Sequence, residues 1–433
     1  MILKPFFTII SERIIGFLVI TIKSTRFRGL LQYTLSSTIS QSLMMVYALI
    51  LARHLGPEKY GYFTSGYSIT SLLSIFLNWG MDTWLLRKGA LLSSPKEWTG
   101  FVVRVKSLLL IVWAPIVIIV FSSLPNNTID PLFFLICTLD IWADSTFATI
   151  LAGLNLEGKY SRLANLLIIS RILRVAGLIT LILFKEDLPL IFAFFRSLAT
   201  ISILFIAALC YKPKLNYKPP TPPLSIFKEV IPFGLSDFFV SIYLFIDITL
   251  LAILSNKFEV GTYSPSSTII SALFILPNTI YLGILPILTE VINKNENVLN
   301  YVKKLLLGFM GLGLLLFLGV AFFAPLIIHT LLGSLYAESG ELLRNLSPIL
   351  LLKSLQFGFI TILIADGWQK YRLIPQGIAA SLNLILNLLL IPRIGAEGAA
   401  LVYNLSEFVL FLGYAFLFFK WLKLTTPRKS IRK

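Results

Sequence analysis

The sequence predicts an all-helical integral membrane protein, with about twelve transmembrane helices in two six-helix lobes related by a pseudo-two-fold axis along the membrane normal. Three observations carry this: a composition too apolar for water, basic residues gathered in alternate gaps between apolar runs, and a proline-rich break midway along the chain. Of 433 residues, 57% are hydrophobic and 13% charged, with a mean hydropathy of +0.85. A water-soluble chain of this size could not hide so much apolar surface.

A helix needs about 20 apolar residues to cross roughly 30 Å of hydrocarbon. Runs of that length lie near residues 30–52, 61–81, 106–124, 132–152, 163–184 and 188–210. A second set lies near 230–254, 262–288, 305–332, 343–365, 373–391 and 398–420. Between the sets, Pro213, Pro219, Pro220, Pro222 and Pro223 stiffen a polar stretch that cannot continue a helix. The expected organisation is therefore an interfacial segment 1–28, a first lobe 29–210, a connector 211–228, a second lobe 229–423 and a basic tail 424–433. Glu12 and Arg13 interrupt the apolar start of the chain, which reads as an amphipathic interfacial helix.

Basic side chains set the orientation. Twenty-seven of the 37 Lys and Arg residues fall before the first run, in every second gap, or in the tail. Loops on the cytoplasmic side are those that collect Lys and Arg, so both termini are expected in the cytoplasm. The net charge of +16 then faces anionic lipid. Nucleic acid is excluded as a partner, because the charges are dispersed over seven segments and form no stripe. Cys137 and Cys210 sit inside apolar runs, which removes a disulfide framework. His54 and His329 are the only histidines and lie far apart, so paired-histidine chemistry and a histidine metal site are not expected.

An offset of 200 residues aligns the chain with itself without gaps. Leu51, Ala52, Gly61, Ile69, Ser71, Leu73, Ile75 and Asn78 match Leu251, Ala252, Gly261, Ile269, Ser271, Leu273, Ile275 and Asn278. Composition alone gives about three such matches, so the pattern suggests a duplication. Six spans per repeat is an even number, which gives both halves the same orientation and leaves a cavity between lobes.

Three landmarks lie at helix corners: Leu55-Gly56-Pro57-Glu58-Lys59-Tyr60-Gly61, Val260-Gly261-Thr262-Tyr263-Ser264, and the stretch from Asn383 through Asn387, Pro392 and Gly395 to Gly398-Ala399-Ala400. At these places in a twelve-span chain they resemble the polysaccharide-biosynthesis exporters of the Wzx type, in the superfamily of multidrug and toxin extrusion proteins and lipid II flippases. The resemblance runs from about residue 29 to 423. It implies a flippase, not an enzyme, that moves a polyprenyl-diphosphate-linked oligosaccharide from the cytoplasmic to the outer leaflet by alternating access. Implied with it are a plasma membrane location, bacterial inner or archaeal, membrane lipids, glycosyltransferases and a glycan polymerase as partners, and a monomeric state. No Gly-x-x-x-x-Gly-Lys-[Ser/Thr] motif occurs, as expected if the chain hydrolyses no nucleotide; no cofactor is expected, and the drive falls to a proton or sodium gradient or to substrate supply. The alternatives are a cation-coupled multidrug exporter and, in another class, a membrane glycosyltransferase or polysaccharide polymerase. Short gaps on the outer side argue against the last.

Ionised groups inside spans mark where such a cargo could be held, because each costs about 2.5–3.5 kcal/mol unless compensated. Asp140, Asp144, Arg171, Arg174, Arg196, Asp237, Asp247, Lys353 and Glu407 fall there. Asp140 and Asp144 are four apart on span four, Arg171 and Arg174 three apart on span five, so each pair forms a stripe on one helix face. Asp144 and Arg171 share a depth of roughly 15 Å, with Asp140 and Arg174 one turn deeper. Mutual neutralisation is one reading. In the other, Arg171, Arg174, Arg196 and Lys353 bind the diphosphate through their cationic donors. Asp140, Asp144, Asp237 and Asp247 then serve charge balance or ion coupling. For Lys353, pairing with Asp237 or Asp247 is the structural alternative. Asn383 and Asn387 form a further polar stripe suited to helix packing or sugar hydroxyls.

Overall fold

The computed structural model describes residues 25–89, 94–122, 130–219, 223–294 and 298–425, in which all regular structure is helical. Most of the expected interfacial segment 1–28 and of the tail 424–433 lies outside the described residues. The first helix, α1, runs Thr25–Leu73, and short α2 (Ile75–Asn78) and α3 (Met81–Gly89) follow. Then come α4 (Pro95–Ser122), α5 (Pro131–Leu156), α6 (Tyr160–Leu183), α7 (Pro189–Tyr211) and α8 (Pro223–Leu254). The remainder are α9 (Lys257–Leu273), α10 (Ile275–Asn293), α11 (Val298–Leu332), α12 (Ala337–Leu346), α13 (Pro348–Ala365) and α14 (Leu373–Thr425).

Nine helical stretches among the described residues are long and apolar enough to cross a membrane. Two of them are double. In α1 the backbone turns at Gly56 (φ 74°, ψ 168°), and in α14 at Ile394 and Gly395 (φ 51°). These corners bring nine stretches to eleven spans, and the 32-residue α8 supplies the twelfth. Gly56-Pro57 and Pro392 to Gly395, the landmark motifs of the sequence, are thus span-to-span corners. Side chains such as Ile111, Val112, Ile119, Phe322, Phe323 and Phe416 are exposed along the helices, as lipid-facing positions should be.

Contacts divide the chain into two compact units, one ending at Gly261 and the other beginning at Thr262. In the first, aromatic and aliphatic side chains of α3, α4, α5 and α8 form one buried cluster around Trp84, Trp98 and Val102. A second cluster joins α5, α6 and α7 through Phe147, Leu163, Ile203 and Tyr211. The apolar run predicts a span that begins at Lys106. Instead α4 begins eleven residues earlier, at Pro95, because Trp98, Phe101, Val102 and Val105 already supply an apolar face. In the second unit, Gly313 of α11 packs on Leu351 and Ser354 of α13. Ser266 and Ser339 exchange bonds with backbone carbonyls there: Ser266 Oγ donates to the Ser339 carbonyl and Ser339 Oγ to that of Thr262, each at 2.8 Å.

Tightest of all is a crossing inside the first unit between two glycines that the 200-residue offset pairs. A Cβ at Gly61 would fall 1.7 Å from the Lys257 carbonyl oxygen, and one at Gly261 the same distance from that of Pro57. Glycine here is a condition of backbone contact. A Gly61→Ala change will cost about 3 kcal/mol by overpacking, read as a lowered thermal midpoint in detergent. Gly177→Ala, where nothing lies within 4 Å of the added carbon, will be neutral or up to about 1 kcal/mol stabilising.

Candidate functional site

Helix α5 is the organising element of the first unit, because it carries two polar stripes that face different neighbours. One holds Asp140 and Asp144, one turn apart; the other holds Ser145 and Thr149. Asp130 caps its start, its side chain accepting from the Leu132 amide, and Pro131 fills the first turn. The following helices, α6 and α7, bring three arginines against the aspartate stripe.

Arg174 is buried and its guanidinium lies 2.5 Å from Asp144 Oδ1. Arg171 approaches the same oxygen at 3.8 Å and donates through Nε to Ser40 Oγ of α1 at 3.0 Å. Asp140, expected opposite Arg174, is instead 2.9 Å from Arg196 Nε of α7 and accepts from Thr200. The Arg196 guanidinium also lies over the Tyr67 ring at 3.9 Å, with Tyr47 at 5.9 Å. That stacking and a fully buried carboxylate immobilise Arg196. The accessible edge of the cluster is elsewhere: the Asp144 side chain keeps 44% of its surface exposed and Arg171 18%, against 2% for Arg174. Three guanidiniums face two carboxylates, so the cluster is net cationic.

Of the four cations named from the sequence, three lie in the first unit. Arg171, Arg174 and Arg196 share this cluster, whereas Lys353 belongs to the second unit. There its ammonium lies 2.7 Å from Glu407 Oε1, and Gln356 donates to Glu407 Oε2 at 2.7 Å and to its carbonyl at 3.0 Å. Lys353 thus pairs with Glu407, a partner the sequence reading did not assign to it. Packing of α14 on α13 brings residues 54 apart in sequence together, a relation that spacing does not reveal. Asn387 donates to Asn383 at 3.1 Å, so this stripe bonds within itself. Asp247 is buried on α8, and Asp237 of the same helix is half-buried and in electrostatic reach of Asp82 and Lys106.

Asp82 and Lys106 were not among the residues singled out. Lys106 of α4 has no exposed surface and donates to both Asp82 oxygens at 3.0 and 2.9 Å, and to the Ser145 carbonyl and hydroxyl at 3.1 and 3.0 Å. Thr149 adds a 2.6 Å bond to Asp82. The signal available was Lys106 itself, following the apolar face of Trp98, Phe101, Val102 and Val105. At the far corner of the unit, beside Gly56, Lys59 pairs with Asp187 in the loop after α6 and holds that carboxyl below its usual range, chiefly through their hydrogen bond.

Comparison with solved structures shows what this arrangement is similar to. Lipid II flippase MurJ in an inward closed conformation superposes with a TM-score of 0.71 at 14% identity, covering 89% of this chain and 86% of that one. An inward-facing multidrug resistance MATE family transporter of the MOP superfamily gives 0.65 at 15% identity, over 88% and 96% of the two chains. A MOP superfamily transporter from Pyrococcus furiosus, described by the reverse polarity of its binding pocket, gives 0.57 at 16% identity, over 92% and 96%. No curated protein matches the sequence significantly. The fold, with its charges buried inside apolar helices, is that of a multi-pass membrane protein. Residues 27–292 match the family described as polysaccharide biosynthesis protein, and the chain belongs to that family.

Removing one partner of a buried pair leaves an uncompensated charge, at a cost of about 3–5 kcal/mol. Asp82→Asn or Lys106→Met will each destabilise the protein by that order in detergent unfolding. The double variant Asp82→Leu with Lys106→Met will recover most of the loss.

Proposed function

We propose that the protein flips a polyprenyl-diphosphate-linked oligosaccharide from the cytoplasmic to the outer leaflet of the plasma membrane, with both termini in the cytoplasm. The observation that carries this reading is the net cationic cluster of Arg171, Arg174 and Arg196 against Asp140 and Asp144. Guanidinium forks match the paired oxygens of a diphosphate, and an intramembrane site with excess positive charge favours an anionic over a cationic cargo. Arg171 is the proposed contact, since its ion pair is the longest and its side chain is reachable. Arg174 and Arg196 hold the aspartates and set the field. Lys353, paired with Glu407, is assigned to the second unit's internal charge balance.

Family membership supports the saccharide part of the reading, and the likeness to a lipid II flippase supports the lipid-linked part. Asp237 and Asp247, two acids on one span of the first unit, are the proposed proton- or sodium-coupling groups. The chain itself is proposed to catalyse no glycosyl transfer and to act with separate glycosyltransferases and a polymerase.

In a deletion strain, Arg171→Ala will abolish surface glycan while protein level and thermal midpoint in detergent stay at the wild-type value. Arg171→Lys will restore part of the activity, a point charge replacing the fork. Undiminished glycan with Arg171→Ala would remove the proposed phosphate contact. Uptake of cationic dyes by reconstituted vesicles, with none of a fluorescent diphosphate-linked oligosaccharide, would move the protein to the multidrug class.

A further inference from the structure

Within the first unit, α3, α4 and α8 leave an apolar crevice of about 330 Å³. Trp84, Phe101, Val105, Ile226, Phe227 and Val230 are among its walls. At about 30 Å³ each, a water-sized volume that a methylene roughly matches, the space admits roughly ten methylenes. Carbon-walled space of this kind gives water no hydrogen-bonding partners, so an apolar chain is its natural occupant. The crevice reaches the surface: Phe227 is half exposed and Val105 only partly buried.

Its rim is cationic in a specific way. Arg104 places its guanidinium over the ring of Phe101, a wall residue, at 5.9 Å. Arg87 lies over Phe233 at 5.6 Å, and Phe233 packs on the same apolar cluster. Lys228 is exposed beside Phe227. The acidic group at the rim, Glu229, accepts a 3.4 Å bond from Trp84 Nε1. An apolar slot with one guanidinium resting on an aromatic wall and a second on a phenylalanine packed against the same cluster has the chemistry to take an amphiphile with one negative head, and guanidinium binds phosphate through forked donors.

We propose that this crevice binds one acidic phospholipid of the surrounding membrane. An acyl chain lies between α3, α4 and α8, and the phosphate lies on Arg87 and Arg104. The chain would fasten α8, which enters from the proline-rich connector, against α3 and α4, so that activity rises with the acidic lipid fraction. The proposal does not depend on which cargo is moved.

Native mass spectrometry of the delipidated full-length protein tests it. Phosphatidylglycerol, phosphatidylcholine with the same acyl chains, and a polyprenyl monophosphate are titrated in parallel. The wild type is expected to retain one phosphatidylglycerol with about tenfold preference over phosphatidylcholine, the equivalent of about 1.4 kcal/mol. Arg87→Gln with Arg104→Gln will erase the preference, and Val105→Trp will reduce binding of both phospholipids. Should Val105→Trp fail to fold, a phosphatidylglycerol with a photoreactive acyl chain is expected to label residues 81–85, 101–105 and 226–230. Equal retention of the two phospholipids by the wild type, an unchanged preference in the arginine variant, or labelling elsewhere overturns the proposal. Displacement of phosphatidylglycerol by the polyprenyl phosphate also overturns it and gives the crevice to a lipid carrier.

Discussion

A charge inside hydrocarbon has to bring its own compensation, and in the first unit that requirement converges on α5. Asp140 and Asp144 lie about 40° apart on the helix, and Ser145 and Thr149 form a second stripe turned by about 140° from the first. One stripe receives arginines from α6 and α7, and the other, with the Ser145 carbonyl, receives Lys106 from α4. Without α5, three buried or half-buried arginines would stand in a medium where each costs about 2.5–3.5 kcal/mol or more, and Lys106 would keep only Asp82 of α3. Helix packing here is thus also charge placement. Arg174, Arg196 and Lys106 cannot be moved alone, because each is paired across two elements.

Between the helices the limiting factor is backbone distance. Lipid tails are as apolar as leucine, so burial of Leu and Ile gives little reason for one helix to prefer another over lipid. Close approach supplies specificity instead. Gly61 against the Lys257 carbonyl, Gly80 against Gly234, and Gly313 against α13 admit no side chain where the helices meet. The first two tie α8 and the start of α9 to α1 and to the Trp79-Gly80 break that follows it. This accounts for the compact unit extending to Gly261, past the 211–228 connector where the repeat divides.

The twelve spans and their corners were legible in the sequence because hydrocarbon thickness and proline chemistry act locally. Gly56-Pro57 and Gly395 announce themselves by residue type. Two stripes on adjacent helices, Asp140 with Asp144 and Arg171 with Arg174, were also legible, since i+3 and i+4 spacing fixes a face. Pairing was less so. Rotation of α5 brings Asp140 to Arg196 and leaves Asp144 to two arginines, a choice set by packing angles that no spacing encodes. Lys353 found Glu407 across 54 residues for the same reason. Lys106 was hidden by an underestimated helix length: a basic residue near a predicted span end looks like a loop charge until the apolar face is followed back to Pro95.

In the proposed cycle, the unequal strength of these pairs decides what the cluster can exchange. Arg196 is held by a buried carboxylate and a tyrosine face, and Arg174 by a short, buried contact. Displacing either would expose an uncompensated charge at a cost of several kcal/mol. Arg171 contributes a 3.8 Å contact to an aspartate whose side chain is partly exposed, the longest of the pairs in this cluster and the weakest. A diphosphate can therefore replace Asp144 at Arg171 at small cost and leave again, while Arg174 keeps Asp144 in place. A carrier must bind its cargo without trapping it, and a weak member beside two strong ones meets both demands. A cationic cargo would have to compete with Arg174 for Asp144 and would meet excess positive charge, so the same geometry that releases an anion repels a cation.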